Sequence, residues 1–166
     1  MITRQQALEM FRSNDLIGLG MAADAVRKNI HPGGLVTYCM ESGNESRNPV
    51  VMLDFRAQEP LDRVVSALDA ISQCVAVMPR SEGTAAEYLK ILALARIYLD
   101  NVPHIQVSPE AGLKLGQIAL RFGANDMGCA EAGSLRATEE DIRRIIRDAG
   151  FLPKQRDALF TTYCLN

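Results

Sequence analysis

The feature that most constrains this chain is an alternation. Short apolar runs take turns with longer stretches whose apolar residues recur at helical spacing. Residues 35–40, 50–54, 75–78, 104–107 and 123–126 read as strands. The run over 50–54 is continuously apolar and ends in an acid, which predicts a strand buried on both faces. Pro79 is expected to stop the 75–78 strand. Between them, Leu61, Val64, Val65, Leu68 and Ile71 mark one helix, and residues 84–99 a second that is apolar around most of its circumference. Leu115, Ile118, Ala119 and Phe122 mark a third, with Gly112 and Gly116 allowing close packing. Strand–helix repeats imply parallel pairing through right-handed crossovers. A complete eightfold barrel needs about 250 residues, and this chain has 166. The expected fold is α/β: a partial, half-type parallel β/α barrel of about four to five strands, with extra N- and C-terminal helices.

Capping signals place the flanking helices. Thr3 with Gln6 forms a capping box, and Asp15 caps a second helix carrying Leu16, Leu19, Ala23, Val26 and Ile30. His31-Pro32-Gly33-Gly34 ends it. Thr138 with Asp141 caps a late helix carrying Ile142, Ile145 and Ile146, which Gly150 closes. Residues 151–159 are expected to add further helical turns. The organisation predicted is one domain over 1–166: a helical segment over 1–34, a truncated β/α barrel over 35–128 and a helical segment over 129–166.

Composition excludes some functions. Net charge is −2, with no basic stripe, so nucleic acid is not an expected partner. No stretch reaches the roughly 20 apolar residues of a membrane span, and the amphipathic start lacks the apolar centre of a signal peptide. The expected location is the cytoplasm. The four cysteines, Cys39, Cys74, Cys129 and Cys164, are scattered with no C-x-x-C, so thiols are expected rather than disulfides or a metal site. No P-loop, G-x-S-x-G or H-E-x-x-H occurs, and Gly18-x-Gly20 lies inside a helix. His31 and His104 sit at a helix end and a strand start, away from any rim.

α/β folds place their sites at the C-terminal ends of strands. Asp54 and Arg56 follow one strand, Arg80 another, and Ser108 with Glu110 a third. An arginine on this rim can hold a carboxylate or phosphate in two-pronged fashion. Asn125 and Asp126 lie in a glycine-flanked turn where a polar ligand could be held, and Cys129 follows as a candidate reactive thiol. The ligand-binding candidates are therefore Asp54, Arg56, Arg80, Ser108, Asn125, Asp126 and Cys129. Each has a plainer reading as a surface ion pair, turn or cap.

Several ordered stretches resemble a known family. They are Ala7-Leu8-Glu9-Met10-Phe11, Ala22-Ala23-Asp24-Ala25-Val26-Arg27 and Val36-Thr37-Tyr38 in the first quarter. Later come Tyr88-Leu89-Lys90, Leu99-Asp100-Asn101-Val102-Pro103, Phe122-Gly123-Ala124-Asn125-Asp126, Ile146-Arg147-Asp148-Ala149-Gly150-Phe151 and Pro153-x-Gln155-Arg156-Asp157. Together they resemble dehypoxanthine futalosine cyclase and aminofutalosine synthase, radical-SAM enzymes of the futalosine route to menaquinone. In that family the strand after Val36-Thr37-Tyr38 leads into C-x-x-x-C-x-x-C, whose thiolates hold a [4Fe-4S] cluster. Residues 41–49 here, ESGNESRNP, contain no cysteine. The resemblance thus implies a non-catalytic relative with no cofactor, acting as a small-ligand-binding or protein-interaction module. Three partners are implied: a second copy across exposed sheet edges, a small polar or nucleoside-like ligand, and a separately encoded radical-SAM subunit. Different chemistry from the same rim residues is the alternative.

Overall fold

A computed structural model of the chain describes residues 3–40, 49–129, 137–161 and 163. Most of the stretch matching the family's cluster loop, and Cys164, lie outside the described residues. Helices α1 (Arg4–Ser13) and α2 (Leu16–Ile30) come first, followed by β1 (Leu35–Cys39), β2 (Val50–Phe55), α3 (Leu61–Asp69), β3 (Ala76–Ser81) and α4 (Ala85–Tyr98). After β4 (His104–Ile105), a 3-10 turn over Pro109–Ala111 leads into α5 (Gly112–Leu120). Then come β5 (Asp126–Cys129), α6 (Glu139–Asp148) and β6 (Leu152–Arg156). The mixed α/β class with parallel sheets matches the expectation.

Every strand pairing between these six elements is parallel, in the orders β2-β3-β4 and β5-β1-β6. A parallel bridge between Gln106 and Asp126 joins the two sets, and the Val107 N–H donates to the Asp126 carbonyl at 2.8 Å. The strand sequence is thus β2-β3-β4-β5-β1-β6. That is six strands among the described residues, against the four to five expected. The extra one is β6, read from the sequence as helix. Leu152, Lys154 and Arg156 pair in register with Leu35, Thr37 and Cys39, so all six side chains share one face.

Local physics accounts for the helices. The expected caps form: Thr3 with Gln6, Asp15 on the Gly18 N–H, and Thr138 with Asp141; a further capping box, Thr84 with Glu87, opens α4. Helix α4 is the hub. Leu92, Ala93, Leu94 and Ala95 are fully buried, because α1 and α2 cover one side of it and β3 the other. Gly116 of α5 earns its place as expected, since a Cβ there would sit 3.1 Å from Met127 and 3.2 Å from Val107. Gly112 does not: nothing lies near it, and its φ of +71° makes it a turn residue instead.

Two strand expectations are corrected. β2 is not buried on both faces: among the described residues it is an outermost strand, and Met52 is 51% exposed. Pro79 does not stop β3, which runs on to Ser81. The carbonyls of Val75 and Val77 accept from His104 and Gln106, so odd-numbered residues of β3 point their polar groups toward β4. Pro79 falls on that side one rung past the Gln106–Val77 bond, where it has no N–H to donate, so it ends the β3–β4 pairing while β3 stays paired with β2 through Ser81.

Candidate functional site

Polar side chains gather in two groups, one on the C-terminal rim and one on β1, β5 and β6, where Asp126 opens β5 while Cys39, Cys129 and Arg156 end their strands. The first lies across β2, β3 and the segment after β4. The Arg80 guanidinium pairs with Asp54 through Nε, and Nη1 lies 3.3 Å from Glu110. The buried Ser108 hydroxyl donates to the other Glu110 oxygen, and its backbone N–H donates to the Tyr88 hydroxyl at 3.0 Å. Asp54, Arg56, Arg80, Ser81, Glu82 and Glu110 line an open groove of about 610 Å³. The structure therefore brings together Asp54, Arg56, Arg80 and Ser108, as the topology predicts. It changes what Arg80 can do. Its fork is engaged by the protein's own carboxylates, so an incoming anion would have to displace Asp54 or Glu110. The hydrogen bond from Arg80 holds the Asp54 carboxyl below its usual range, and Asp54 in turn raises Arg80. The groove presents three carboxylates and two guanidiniums, a set suited to hydroxyl or amine donors.

The second group lies on β1, β5 and β6. Asp126 is fully buried and receives Arg156 at both oxygens, Nε to Oδ2 at 2.6 Å and Nη2 to Oδ1 at 2.7 Å. The Thr37 hydroxyl and the Gly128 N–H also donate to this carboxylate. Burial alone would lower the Arg156 guanidinium, but the bond to Asp126 overcomes it and the net direction is up. Phe160 lies over Arg156, ring centre to Cζ 3.6 Å. Arg156 Nη1 donates to the Asp157 carbonyl at 2.8 Å and lies 3.9 Å from Cys129 Sγ. The register puts Cys39 opposite Cys129. Between Thr37 and Cys39 the partner strand advances three residues for two, so β5 carries one extra residue. Gly128, at φ +75°, takes up that irregularity. The extra residue returns Cys129 to the face of Asp126, where the two thiols hydrogen-bond. That bond, and then burial, push the Cys129 thiol up.

Asn125 is elsewhere. It precedes β5, at the N-terminal end of the strands, which corrects its expected position on the rim. Its Oδ1 accepts from Arg96 Nη2 at 2.7 Å and from the Ile105 N–H at 3.0 Å. Its Nδ2 lies 2.9 Å from His104 Nδ1 and 2.9 Å from His31 Nε2. Those contacts make it a brace rather than a rim ligand. The buried Arg96 spends its other donors on the Gly123 and Val102 carbonyls, and burial lowers it to about 9. The two histidines stay off the rim, as expected.

Sequence reasoning missed Cys39 and Arg156. Arg156 fell in a segment assigned to helix, although Leu152, Lys154 and Arg156 alternate as a strand requires. Cys39 needed the β1–β5 register, which no local pattern announces.

The donor set does not fit a three-thiolate iron–sulfur cluster. Cys39 and Cys129 supply two adjacent thiols, and no group of three or more metal-ligating side chains occurs among the described residues. Cys74 lies just before β3, at the opposite end of the strands. Among the described residues, no helix is long and apolar enough to cross a membrane.

The chain is similar to several characterised proteins. It is 40% identical over 94 residues to a cyclic dehypoxanthine futalosine synthase of Streptomyces coelicolor, covering 51% of this chain and 23% of that protein. It is 37% identical over 90 residues to an aminodeoxyfutalosine synthase of the same organism, covering 46% and 23%. A 5-amino-6-(D-ribitylamino)uracil–L-tyrosine 4-hydroxyphenyl transferase of Methanoculleus marisnigri is 37% identical over 101 residues, covering 53% and 26%. The chain spans about a quarter of the length of these relatives. The expected relation to futalosine-pathway enzymes therefore holds. A family model described as "CofH/MqnC C-terminal region" matches residues 66–164, from within α3 to beyond β6; Arg80, Ser108, Glu110, Asp126, Cys129 and Arg156 fall inside it, whereas Thr37, Cys39, Asp54 and Arg56 precede it. The chain belongs to the CofH/MqnC C-terminal region family.

Proposed function

We propose that this chain is a non-catalytic, radical-SAM-like module built as a partial β/α barrel, and that it binds a small polar ligand at the strand C-terminal rim. One observation carries the reading: Asp54, Arg80 and Glu110, from three successive strand ends, converge on one open groove. Carboxylates there accept from hydroxyls and amines, which suits a nucleoside-like molecule with a sugar diol. The cysteine-free run over 41–49 motivates the non-catalytic half of the proposal. The test titrates the purified chain with adenosine by calorimetry, beside an Asp54→Ala/Glu110→Ala variant. Saturable binding lost in the variant supports the reading. Purified protein that holds iron and sulfide and cleaves SAM overturns it.

A second reading, as an interaction module, rests on a different observation. Among the described residues β2 and β6 are the outermost strands, and Met52 on β2 and Leu152 on β6 are 51% and 59% exposed. An open edge with apolar side chains favours pairing with another chain. Native mass spectrometry of untagged protein separates the partners: a second copy gives a concentration-dependent dimer weakened by Met52→Glu, and a radical-SAM subunit co-purifies from the native host. A monomer that captures neither refutes this reading.

A further inference from the structure

We infer that Cys39 and Cys129 form a dithiol site that closes to an internal disulfide by exchange with a small-molecule disulfide. Neighbouring strands run about 4.8 Å apart, so register partners fall within the roughly 4.4–6.8 Å Cα separation a disulfide spans. Cys39 and Cys129 are such partners, and their thiols already touch through a hydrogen bond. The arrangement depends on the extra residue at Gly128. With regular alternation Cys129 would face away from Asp126 and Cys39. A Cβ on Gly128 would lie 2.9 Å from Gln106 Nε2, on a backbone at φ +75°. The two thiols also differ in access. Cys39 is fully buried, whereas Cys129 is partly exposed and lies 3.9 Å from the Arg156 guanidinium. That asymmetry assigns the roles.

Cys129 loses its proton to solvent and attacks one sulfur of glutathione disulfide. The S–S bond of glutathione disulfide breaks, and one glutathione leaves as thiolate. Cys39 then gives up its proton and attacks the Cys129 sulfur of the mixed disulfide, expelling the second glutathione. The two cysteines lose two electrons and two protons, and glutathione disulfide becomes two molecules of glutathione. The hydrogen bond and burial that raise the Cys129 thiol make the first step slow at neutral pH and faster as pH rises.

The experiment uses the full chain carrying Cys74→Ser and Cys164→Ser, so that only Cys39 and Cys129 titrate. The protein is equilibrated in glutathione buffers, quenched with an alkylating agent and mapped by mass spectrometry. Doubling glutathione at fixed glutathione disulfide should lower the oxidised-to-reduced ratio about fourfold, because an internal disulfide releases two glutathiones. A peptide cross-linked between Cys39 and Cys129 should appear. An about twofold response with a persistent adduct on Cys129 is the behaviour of a single thiol and overturns the proposal. No cross-linked peptide at excess oxidant also overturns it. Cys39→Ser should convert the about fourfold law to the about twofold one. Should that variant not fold, Gly128→Ala gives a second test, expected to lower cross-linking at matched buffer. Unchanged cross-linking in a folded Gly128→Ala protein refutes the role given to the extra residue.

Discussion

Lowering pH from 7 to 4 should destabilise the protein through His104 specifically. This imidazole is only 5% exposed at the N-terminal end of β4. Its Nδ1 lies 2.9 Å from Asn125 Nδ2, an amide group that can only donate, so Nδ1 accepts and must be unprotonated. Flipping the amide is blocked, because Arg96 and the Ile105 N–H hold Oδ1. His31 stacks on the ring at 5.4 Å between centroids, Phe160 packs at 4.8 Å, and the Tyr163 hydroxyl lies 3.4 Å from Nε2. Burial, followed by the charges of His31, Arg156 and Arg96, lowers the group from 6.5 to about 4, against the pull of Asp126. The unfolded chain therefore binds the extra proton between about pH 6.5 and 4, and stability must fall as pH falls through that window. A shift of that size corresponds to about 3 kcal/mol, fully lost below pH 4. His31 is lowered as well, chiefly by burial, and adds in the same direction. Urea unfolding at half-unit pH steps, on wild type and His104→Gln, measures it. The variant should show a shallower fall across the window. Equal slopes in both proteins, or wild-type stability that rises on acidification, would refute the reasoning.

Asp126→Leu should cost about 3–5 kcal/mol, because it strands the buried Arg156, while Asp126→Leu with Arg156→Met should recover most of that loss. Urea midpoints compare them, and a single variant within about 1 kcal/mol of wild type contradicts the buried-pair account. Asp54→Ala, by contrast, removes an exposed ion pair and should cost about 0–1 kcal/mol in thermal unfolding while abolishing ligand binding at the groove. Thr84→Ala removes one half of the capping box on α4 and should cost about 1 kcal/mol, read by urea unfolding followed by circular dichroism.

The helices were legible because their signals are local. Thr3, Asp15 and Thr138 each cap within a few residues of themselves, and the apolar residues of α4 announce a helix covered on all sides. What failed depends on neighbours distant in sequence. Residues 50–54 are apolar enough for a strand covered on both faces, yet Met52 and Asp54 share a face that no described helix covers. Pro79 ends pairing only on the edge facing β4, and β3 runs on because β2 pairs along its other edge. Residues 152–156 carry Pro, Lys and Arg, poor strand formers on their own, and become a strand because β1 offers an open edge. At the site, strand ends were readable, so Asp54, Arg80 and Ser108 were found. The strand expected over 123–126 lies three residues later, at Asp126–Cys129, and that offset put Asn125 at the wrong end of the sheet. Cys39 and Arg156 could be found only with the register.

Placing β6 beside β1 has a consequence for the order of assembly. The partners Leu35 and Leu152 are roughly 120 residues apart in sequence, whereas β2, β3 and β4 lie close together along the chain. At about 5–20 residues per second of synthesis, β1 waits on the order of 10 s before either neighbour exists. During that time β2, α3, β3 and α4 can pack on one another, while β1 offers both edges to the cell. The fully buried Asp126–Arg156 pair closes late, joining β6 to β5 across β1, and so marks a late step in the assembly of these strands rather than its beginning.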